Sequence, residues 1–138
     1  MRCHKAHSTI AARPEAVWAV LCDRTAWASW DSGVDQVEGR IEAGQKIKIH
    51  SKVAPGRSFP VRVTVFEPPG RLQFSGGMPL GLFRGVRTYD VAPATDGGTA
   101  FHVREEYTGP RLGLMWRSMP DLGPSFAQGL RGRVESAV

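Results

Sequence analysis

The sequence has few cysteines and no long apolar run, and both shortages exclude classes of protein. Its 138 residues include only two cysteines, Cys3 and Cys22, which are too few for a disulfide framework and do not form a CxxC pair. No apolar stretch is long enough to cross a bilayer, and the first ten residues lack the apolar core of a signal peptide. We therefore expect a cytoplasmic protein with free thiols and no stable membrane insertion.

The signatures of three common kinds of site are also missing. Cys3, His4 and His7 have no fourth ligand near them in sequence, and the glycines around residue 77 lack the GxxxxGK[ST] pattern of a phosphate loop. His50 and His102 fall on the polar positions of their predicted strands, which argues against a nucleophilic triad. The sequence therefore predicts no metal ion and no cofactor.

The charge is strongly basic but scattered. The formal net charge is +5, and most of the 18 basic residues are arginines spread from Arg2 to Arg133 without a run of five like charges. No aromatic residues are interleaved with a basic cluster. This distribution predicts a solvated surface rather than a specific site for nucleic acid.

The N-terminal part of the chain predicts a strand followed by two short helices. Residues 2–11 alternate as a half-buried strand does, and Pro14 suits the first turn of a helix because its φ is already helical. Apolar residues recur at helical spacing as far as Leu21. A polar break then favours a second short helix around Trp27 and Trp30, whose side chains we expect to cover a sheet.

The middle of the chain predicts six further strands, each separated from the next by turn signals. In the segment 58–66, Val61, Val63 and Val65 alternate with polar residues and therefore share one face. The glycine-rich segment Gly77 to Gly85 is predicted to be a loop. The predicted strands are Gln36 to Ile41, Gln45 to Val53, Ser58 to Phe66, Arg71 to Ser75, Arg84 to Ala92 and Thr99 to Thr108.

The C-terminal tail changes to a helical period. Phe126, Leu130, Val134 and Val138 recur every four residues, which predicts an amphipathic helix. The order is strand, two short helices, six strands and a long helix. This order is typical of an α+β protein in which one seven-stranded antiparallel sheet curves around the C-terminal helix, and we expect residues 1–138 to form one domain.

Several short motifs occur in an order and spacing that together resemble a known superfamily. They are Ile10 to Ala12, Pro14 to Trp18, Leu21 with Asp23, Trp27 to Trp30, Glu67 to Pro69, Gly97 to Thr99, and Tyr107 to Pro110. The chain resembles the START-like superfamily (SRPBCC), which includes Bet v 1 allergens, polyketide cyclases and lipid-transfer domains, and it most resembles the bacterial polyketide cyclase/dehydrase-like group. The resemblance implies a helix-grip fold with a hydrophobic cavity between the sheet and the C-terminal helix.

The last predicted hairpin places two charged side chains on the inward-facing side of the sheet. Pairing Val91 with Phe101 sets Arg87 opposite Glu105, on the same inward parity as Tyr107. We expect Arg87 and Glu105 to form an ion pair at the floor or gate of an apolar pocket. The alternative is a partly buried pair with no role toward a ligand.

The preferred function is binding of a small hydrophobic or amphipathic ligand in that cavity, by a carrier or sensor that is a monomer or weak homodimer. We expect the Gly77 to Gly85 loop and the segment Leu112 to Met119 to form its mouth. The predicted ligand-binding or core positions are Trp18, Trp30, Ile49, Val61, Val63, Phe74, Phe83, Arg87, Tyr89, Val103, Glu105, Tyr107, Trp116, Phe126 and Leu130.

Two alternatives remain open from the sequence. Glu105, Arg87 and Tyr107 are candidate catalytic residues for a cyclase or dehydratase acting on a molecule held in the same cavity. A third interpretation is an interaction protein, because several basic side chains share the outward parity of the sheet and would give it a cationic outer face. These are Lys46, Lys48, Arg62, Arg84 and Arg104.

Overall fold

The computed structural model describes residues 2–23, 27, 30, 34–51, 58–78, 82–110, 112 and 123–136. These residues form seven strands and two helices. The strands are β1 (Arg2–Ile10), β2 (Val34–Glu38), β3 (Lys46–Ser51), β4 (Ser58–Glu67), β5 (Arg71–Met78), β6 (Phe83–Pro93) and β7 (Thr99–Thr108), and the helices are α1 (Pro14–Leu21) and α2 (Gly123–Ser136). None of the helices described is long and apolar enough to cross a membrane.

The seven strands form one antiparallel sheet in the order β1-β7-β6-β5-β4-β3-β2. The sheet curves around α2, which lies against β1, and the hydroxyl of Ser8 on β1 donates a 3.0 Å hydrogen bond to the carbonyl of Ala127 on α2. This confirms the predicted α+β helix-grip fold.

Helix α1 begins where the sequence predicts. Pro14 occupies its first turn, and Val17, Trp18 and Leu21 are buried against the sheet and α2. The predicted second short helix lies largely outside the described residues. Of that segment the structure describes Trp27 and Trp30, and both side chains are buried as expected.

Helix α2 buries the side predicted from its four-residue period. Phe126, Leu130 and Val134 are at most 2% exposed, whereas Val138 lies outside the described residues. The C-terminal end of α2 is tied to the turn after β1, because the carboxylate of Glu135 accepts a 2.9 Å hydrogen bond from the backbone N–H of Ala11. This hydrogen bond lowers the pKa of Glu135, and nearby Arg131 lowers it further.

Strand β2 is displaced from its predicted position. The sequence predicts a strand over residues 36–41, but β2 begins at Val34 and ends at Glu38. Gly39 follows it with φ +99, a backbone conformation that residues other than glycine rarely adopt. A Cβ at this position would also lie 2.9 Å from the carbonyl oxygen of Lys46. The glycine therefore ends the strand earlier than the apolar pattern suggests.

The prediction that Val65 shares a face with Val63 is wrong. The register between β4 and β5 shifts between these two residues, as a β-bulge does. After the shift Phe66 pairs with the buried Leu72 and packs on the core. The alternation could not reveal the bulge because residues 65 and 66 are both apolar.

The loop predicted over residues 77–85 is too long. Strand β5 continues to Met78 and β6 begins at Phe83, so Gly76 pairs with Gly85 and Met78 with Phe83. Residues 79–81 lie outside the described residues. Glycines have low strand propensity, but the neighbouring strands continue the ladder of backbone hydrogen bonds through them.

Candidate functional site

The inner face of the sheet is buried at one end and partly open at the other. On β6, Tyr89 is 0% exposed, whereas Phe83 and Arg87 are half-buried. On β7, Phe101 is 0% exposed and Tyr107 is half-buried. We call the half-buried region the open end. Its inward-facing side chains among the described residues include Ile49, Val61, Phe83, Arg87, Glu105 and Tyr107.

The buried end is filled by aromatic rings. Trp27 is 0% exposed, and its ring centroid lies 6.2 Å from those of Phe74 and Tyr89 and 5.2 Å from that of Phe126. Its indole Nε1 donates a 2.9 Å hydrogen bond to the carbonyl of Leu21. Trp27 is therefore anchored at the centre of the space between the sheet and α2, although the sequence did not identify it as a cavity residue.

The open end contains the predicted cross-strand ion pair. Arg87 and Glu105 face each other in the register of β6 and β7, and Arg87 Nε lies 3.2 Å from Glu105 Oε1. The two side chains are only 18% and 13% exposed. The predicted pairing is confirmed, and a pair this enclosed interacts more strongly than a surface ion pair because water screens it less.

Each member of the pair has further contacts. The hydroxyl of Tyr107 donates a hydrogen bond to Glu105 Oε2. The guanidinium carbon of Arg87 lies 4.7 Å from the ring centroid of Phe126 and 5.3 Å from that of Tyr89, within cation–π distance. The pair thus joins the polar groups of the open end to the aromatic rings of the buried end.

Tyr107 is held in place from three sides. Its ring is stacked on that of Phe83 with centroids 5.8 Å apart, and a Cβ on Gly85 would lie 3.3 Å from Tyr107 Cε1. His4 meets the tyrosine ring edge-on at 6.0 Å and pairs with Glu105 in the register of β1 and β7. Sequence reasoning considered His4 only as a metal ligand. The parity of β1, on which His4 shares a side with Ala6, would have placed it at this site.

The predicted ligand-binding positions divide into two groups. The first group consists of the half-buried residues by which the open end was defined above. The remaining described positions are at most 9% exposed and belong to the core. Among them Trp18 packs on Phe66, with ring centroids 5.6 Å apart, and Trp116 lies outside the described residues. The core group consists of Trp18, Trp30, Val63, Phe74, Tyr89, Val103, Phe126 and Leu130.

Partial burial of Cys22 and complete burial of Tyr89 keep the protons on both side chains. Burial raises the pKa of the Cys22 thiol to about 12, so the thiol is protonated at neutral pH and a poor nucleophile. Burial also raises the pKa of the Tyr89 hydroxyl, with Glu105 adding to the effect and Arg87 opposing it. Tyr89 is therefore a neutral phenol inside the core.

The five basic residues of the outer face are all exposed, as their parity predicts. Arg104 Nε lies 3.0 Å from Glu106 Oε1 on the same strand. Arg71, also on this face, has its Nε 2.7 Å from Asp90 Oδ1. Acidic side chains are thus interspersed among the basic ones. A shallow surface groove of about 470 Å³ beside the start of α1 contains none of the predicted site residues.

Comparison with known proteins identifies a family over nearly the whole chain. Residues 1–136 match the family described as "Polyketide cyclase / dehydrase and lipid transport". A search of curated proteins by sequence finds no match.

Solved structures with the same fold share little sequence with this chain. Protein NE0264 from Nitrosomonas europaea superposes with a TM-score of 0.76 at 10% identity, over 99% of this chain and 96% of that one. Protein MLL2253 from Mesorhizobium loti gives 0.73 at 16% identity over 99% of both chains. Norcoclaurine synthase from Thalictrum flavum, solved as a point mutant with a transition-state analogue, gives 0.74 at 14% identity over 99% and 95%. At these identities the likeness establishes the fold alone.

Proposed function

The chain belongs to the family of polyketide cyclases, dehydrases and lipid-transport proteins, and on this basis we propose that it binds a small amphipathic molecule at the open end of the sheet. The observation that supports this most is the enclosed ion pair Arg87–Glu105 beside half-buried apolar side chains. Pockets that bind small molecules are largely apolar and contain a few polar groups that fix orientation.

The open end offers both an apolar surface and a polar group that could orient a ligand. Phe83 and Tyr107 present stacked rings, and Val61 and Ile49 extend the apolar area along β4 and β3. Arg87 supplies a positive charge whose pairing with Glu105 leaves the site without net charge. The apolar part of a ligand would lie against the rings and aliphatic side chains, with its polar group near Arg87.

Native mass spectrometry of the protein, purified gently from its source cells, tests whether it carries a ligand. We expect a discrete added mass that is lost on denaturation.

The place of binding is tested by a fluorescence titration of 1-anilinonaphthalene-8-sulfonate into the wild-type protein and into Phe83→Ala and Val86→Ala variants. These residues lie on opposite faces of β6, so Phe83→Ala should weaken binding about tenfold while Val86→Ala leaves it unchanged. Equal effects of both substitutions would contradict the proposed site.

A second candidate function is catalysis of a cyclisation or dehydration in the same site. The observation that favours it is the position of Glu105, whose carboxylate accepts a hydrogen bond from Tyr107 and pairs with Arg87. Glu105 would remove a proton from carbon next to a carbonyl group, and Arg87 would stabilise the enolate oxygen that results. Norcoclaurine synthase shows that an enzyme can have this fold.

Exchange of carbon-bound protons separates the two functions. A catalyst should accelerate deuterium uptake into the methyl group of 2-acetylnaphthalene in D₂O, as followed by NMR, and Glu105→Gln should abolish the acceleration while binding persists. A binding protein gives the uncatalysed rate in both forms, and Glu105→Gln should then retain most of the affinity for this neutral probe.

A further inference from the structure

The inner face changes from half-buried to buried within one step along β5 and along β6. On β6 Arg87 is half-buried, whereas Tyr89, the next inward-facing residue, is 0% exposed. On β5 Gly76 is half-buried, whereas Phe74, the next inward position, is 2% exposed. Tyr89 and Phe74 are thus the first buried residues on these strands when the inner face is followed from the open end.

The ring of Trp27 lies over both of these residues. Its centroid is 6.2 Å from the ring centroids of Phe74 and Tyr89. It is also 5.2 Å from the ring centroid of Phe126, and the guanidinium carbon of Arg87 lies 4.7 Å from that centroid on the side of the open end. Trp27 therefore covers the boundary between the two ends, and Phe126 connects it to Arg87.

The ring of Trp27 is costly to displace. Its indole Nε1 donates a 2.9 Å hydrogen bond to the carbonyl of Leu21, the last residue of α1, where carbonyl groups lack partners within the helix. The ring also packs against Trp30, with centroids 6.2 Å apart, and it is 0% exposed. Moving Trp27 would break the hydrogen bond and leave a buried donor and a buried acceptor without their partners. We therefore expect the ring to keep its place when a ligand binds.

From this arrangement we propose, resting on the proposed ligand-binding function, that Trp27 sets the depth of the site. A ligand binds in front of the ring, at the open end, and does not enter the buried end between the sheet and α2. Along β6 the open end runs from Phe83 to Arg87, about 13 Å in an extended strand. This is close to the extended length of decan-1-ol. The site therefore selects short amphipathic molecules and rejects long acyl chains.

A series of straight-chain alcohols from hexan-1-ol to dodecan-1-ol tests the depth of the site. Their affinities are measured by displacement of 1-anilinonaphthalene-8-sulfonate, whose own affinity is determined for each variant. In the wild-type protein each added methylene group should strengthen binding until the chain fills the open end, near decan-1-ol, and dodecan-1-ol should gain nothing more. In Trp27→Ala the gain should continue to dodecan-1-ol, by about tenfold for the two added methylene groups, because these enter apolar space.

Two further variants separate the depth of the site from a general loosening of the core. Trp27→Leu leaves a smaller space and should give a smaller gain, and it replaces Trp27→Ala if that variant does not fold. Phe66→Ala removes a core ring that packs on Trp18 and should keep the wild-type limit. An undiminished gain up to dodecan-1-ol in the wild type, or an unchanged limit in the Trp27 variants, overturns this inference alone. Failure of every alcohol to bind contradicts the proposed function and, with it, the inference.

Hydrogen exchange tests the position of Trp27 in the wild-type protein itself. The indole N–H resonance of Trp27, assigned by its loss in Trp27→Phe, should exchange slowly in the ligand-free protein because the group is buried and hydrogen-bonded. Saturation with decan-1-ol should leave the exchange as slow or slower, since the ligand lies in front of the ring. Faster exchange in the complex would show that the ligand displaces Trp27, and would overturn the inference.

Discussion

Gly85 lies directly opposite Tyr107 in the register of β6 and β7, and the tyrosine ring covers the glycine. A Cβ at position 85 would be 3.3 Å from Cε1 and 3.4 Å from Cδ1 of the ring, closer than most side-chain contacts. The missing side chain therefore lets Tyr107 lie flat on the sheet, where it stacks on Phe83 and its hydroxyl reaches Glu105. The geometry of the open end depends on this glycine.

Gly85→Ala should displace the Tyr107 ring. Because Gly85 is not among the glycines with positive φ, the backbone tolerates alanine and the effect comes from the side-chain contact. We expect a loss of about 1 kcal/mol in the free energy of unfolding, measured with urea, and weaker binding of 1-anilinonaphthalene-8-sulfonate. If Gly85→Ala in a Tyr107→Ala background loses as much stability as in the wild type, the contact with the ring is not the cause.

Gly132→Ala should have the opposite sign. Gly132 lies inside α2 on the exposed side, and a Cβ there would have no neighbour within 4 Å. Alanine loses less backbone entropy on folding, so the free energy of unfolding should rise by about 0.5–1 kcal/mol. Gly39→Ala is the matched control, because its φ of +99 and its approach to Lys46 predict a loss. A decrease for Gly132→Ala would contradict the position of this residue on α2.

The ion pair of the open end should behave as a coupled unit. Arg87→Met and Glu105→Leu each leave an enclosed charge without its partner, and each should lower the free energy of unfolding by about 2–4 kcal/mol. The double variant should lose less than the sum, with a coupling of at least about 1 kcal/mol in a double-mutant cycle. Additive losses would show that the two side chains do not interact.

An exposed pair on the other face of the sheet provides the comparison. Arg71 and Asp90 lie 2.7 Å apart but are 55% and 39% exposed. The cycle for Arg71→Met and Asp90→Leu should give a smaller coupling than that for Arg87 and Glu105, since water and salt screen the exposed pair. Raising the salt concentration should reduce this coupling more than that of Arg87 and Glu105.

The last hairpin was predictable in detail because one short turn fixes its register. Gly97 has φ +85, and the N–H of Gly98 donates to the side chain of Asp96, a turn that the sequence Asp96-Gly97-Gly98 signals directly. Unbroken alternation on both strands then placed Arg87 opposite Glu105. The bulge in β4 was not predictable, because apolar residues occupy both alternatives and the choice depends on packing against Trp18.

The division of the inner face into a buried and an open end could not be predicted from the sequence either. Parity assigns a residue to a face, but its exposure depends on which part of α2 and which rings cover it. Phe83 and Phe74 are both among the predicted ligand-binding or core positions and both lie on the inner face of the sheet, yet Phe74 is 2% exposed because Trp27 lies over it, whereas Phe83 is half-buried. The place of Trp27 is a tertiary property that no local pattern contains.

The contact between Glu135 and Ala11 predicts how stability depends on pH. The pKa of Glu135 is lower in the folded protein than in the unfolded chain, chiefly because the Ala11 N–H donates to its carboxylate. Its contribution is therefore fully present above the unfolded pKa of about 4.3 and is lost as the pH falls through the folded pKa. Glu135→Gln should lower the melting temperature at pH 7, and the difference from wild type should disappear at pH values below the folded pKa. Glu42→Gln makes the same charge change at an exposed position outside this contact and should have little effect. A constant difference across the whole range would show that the carboxylate charge contributes nothing to holding α2 against the turn after β1.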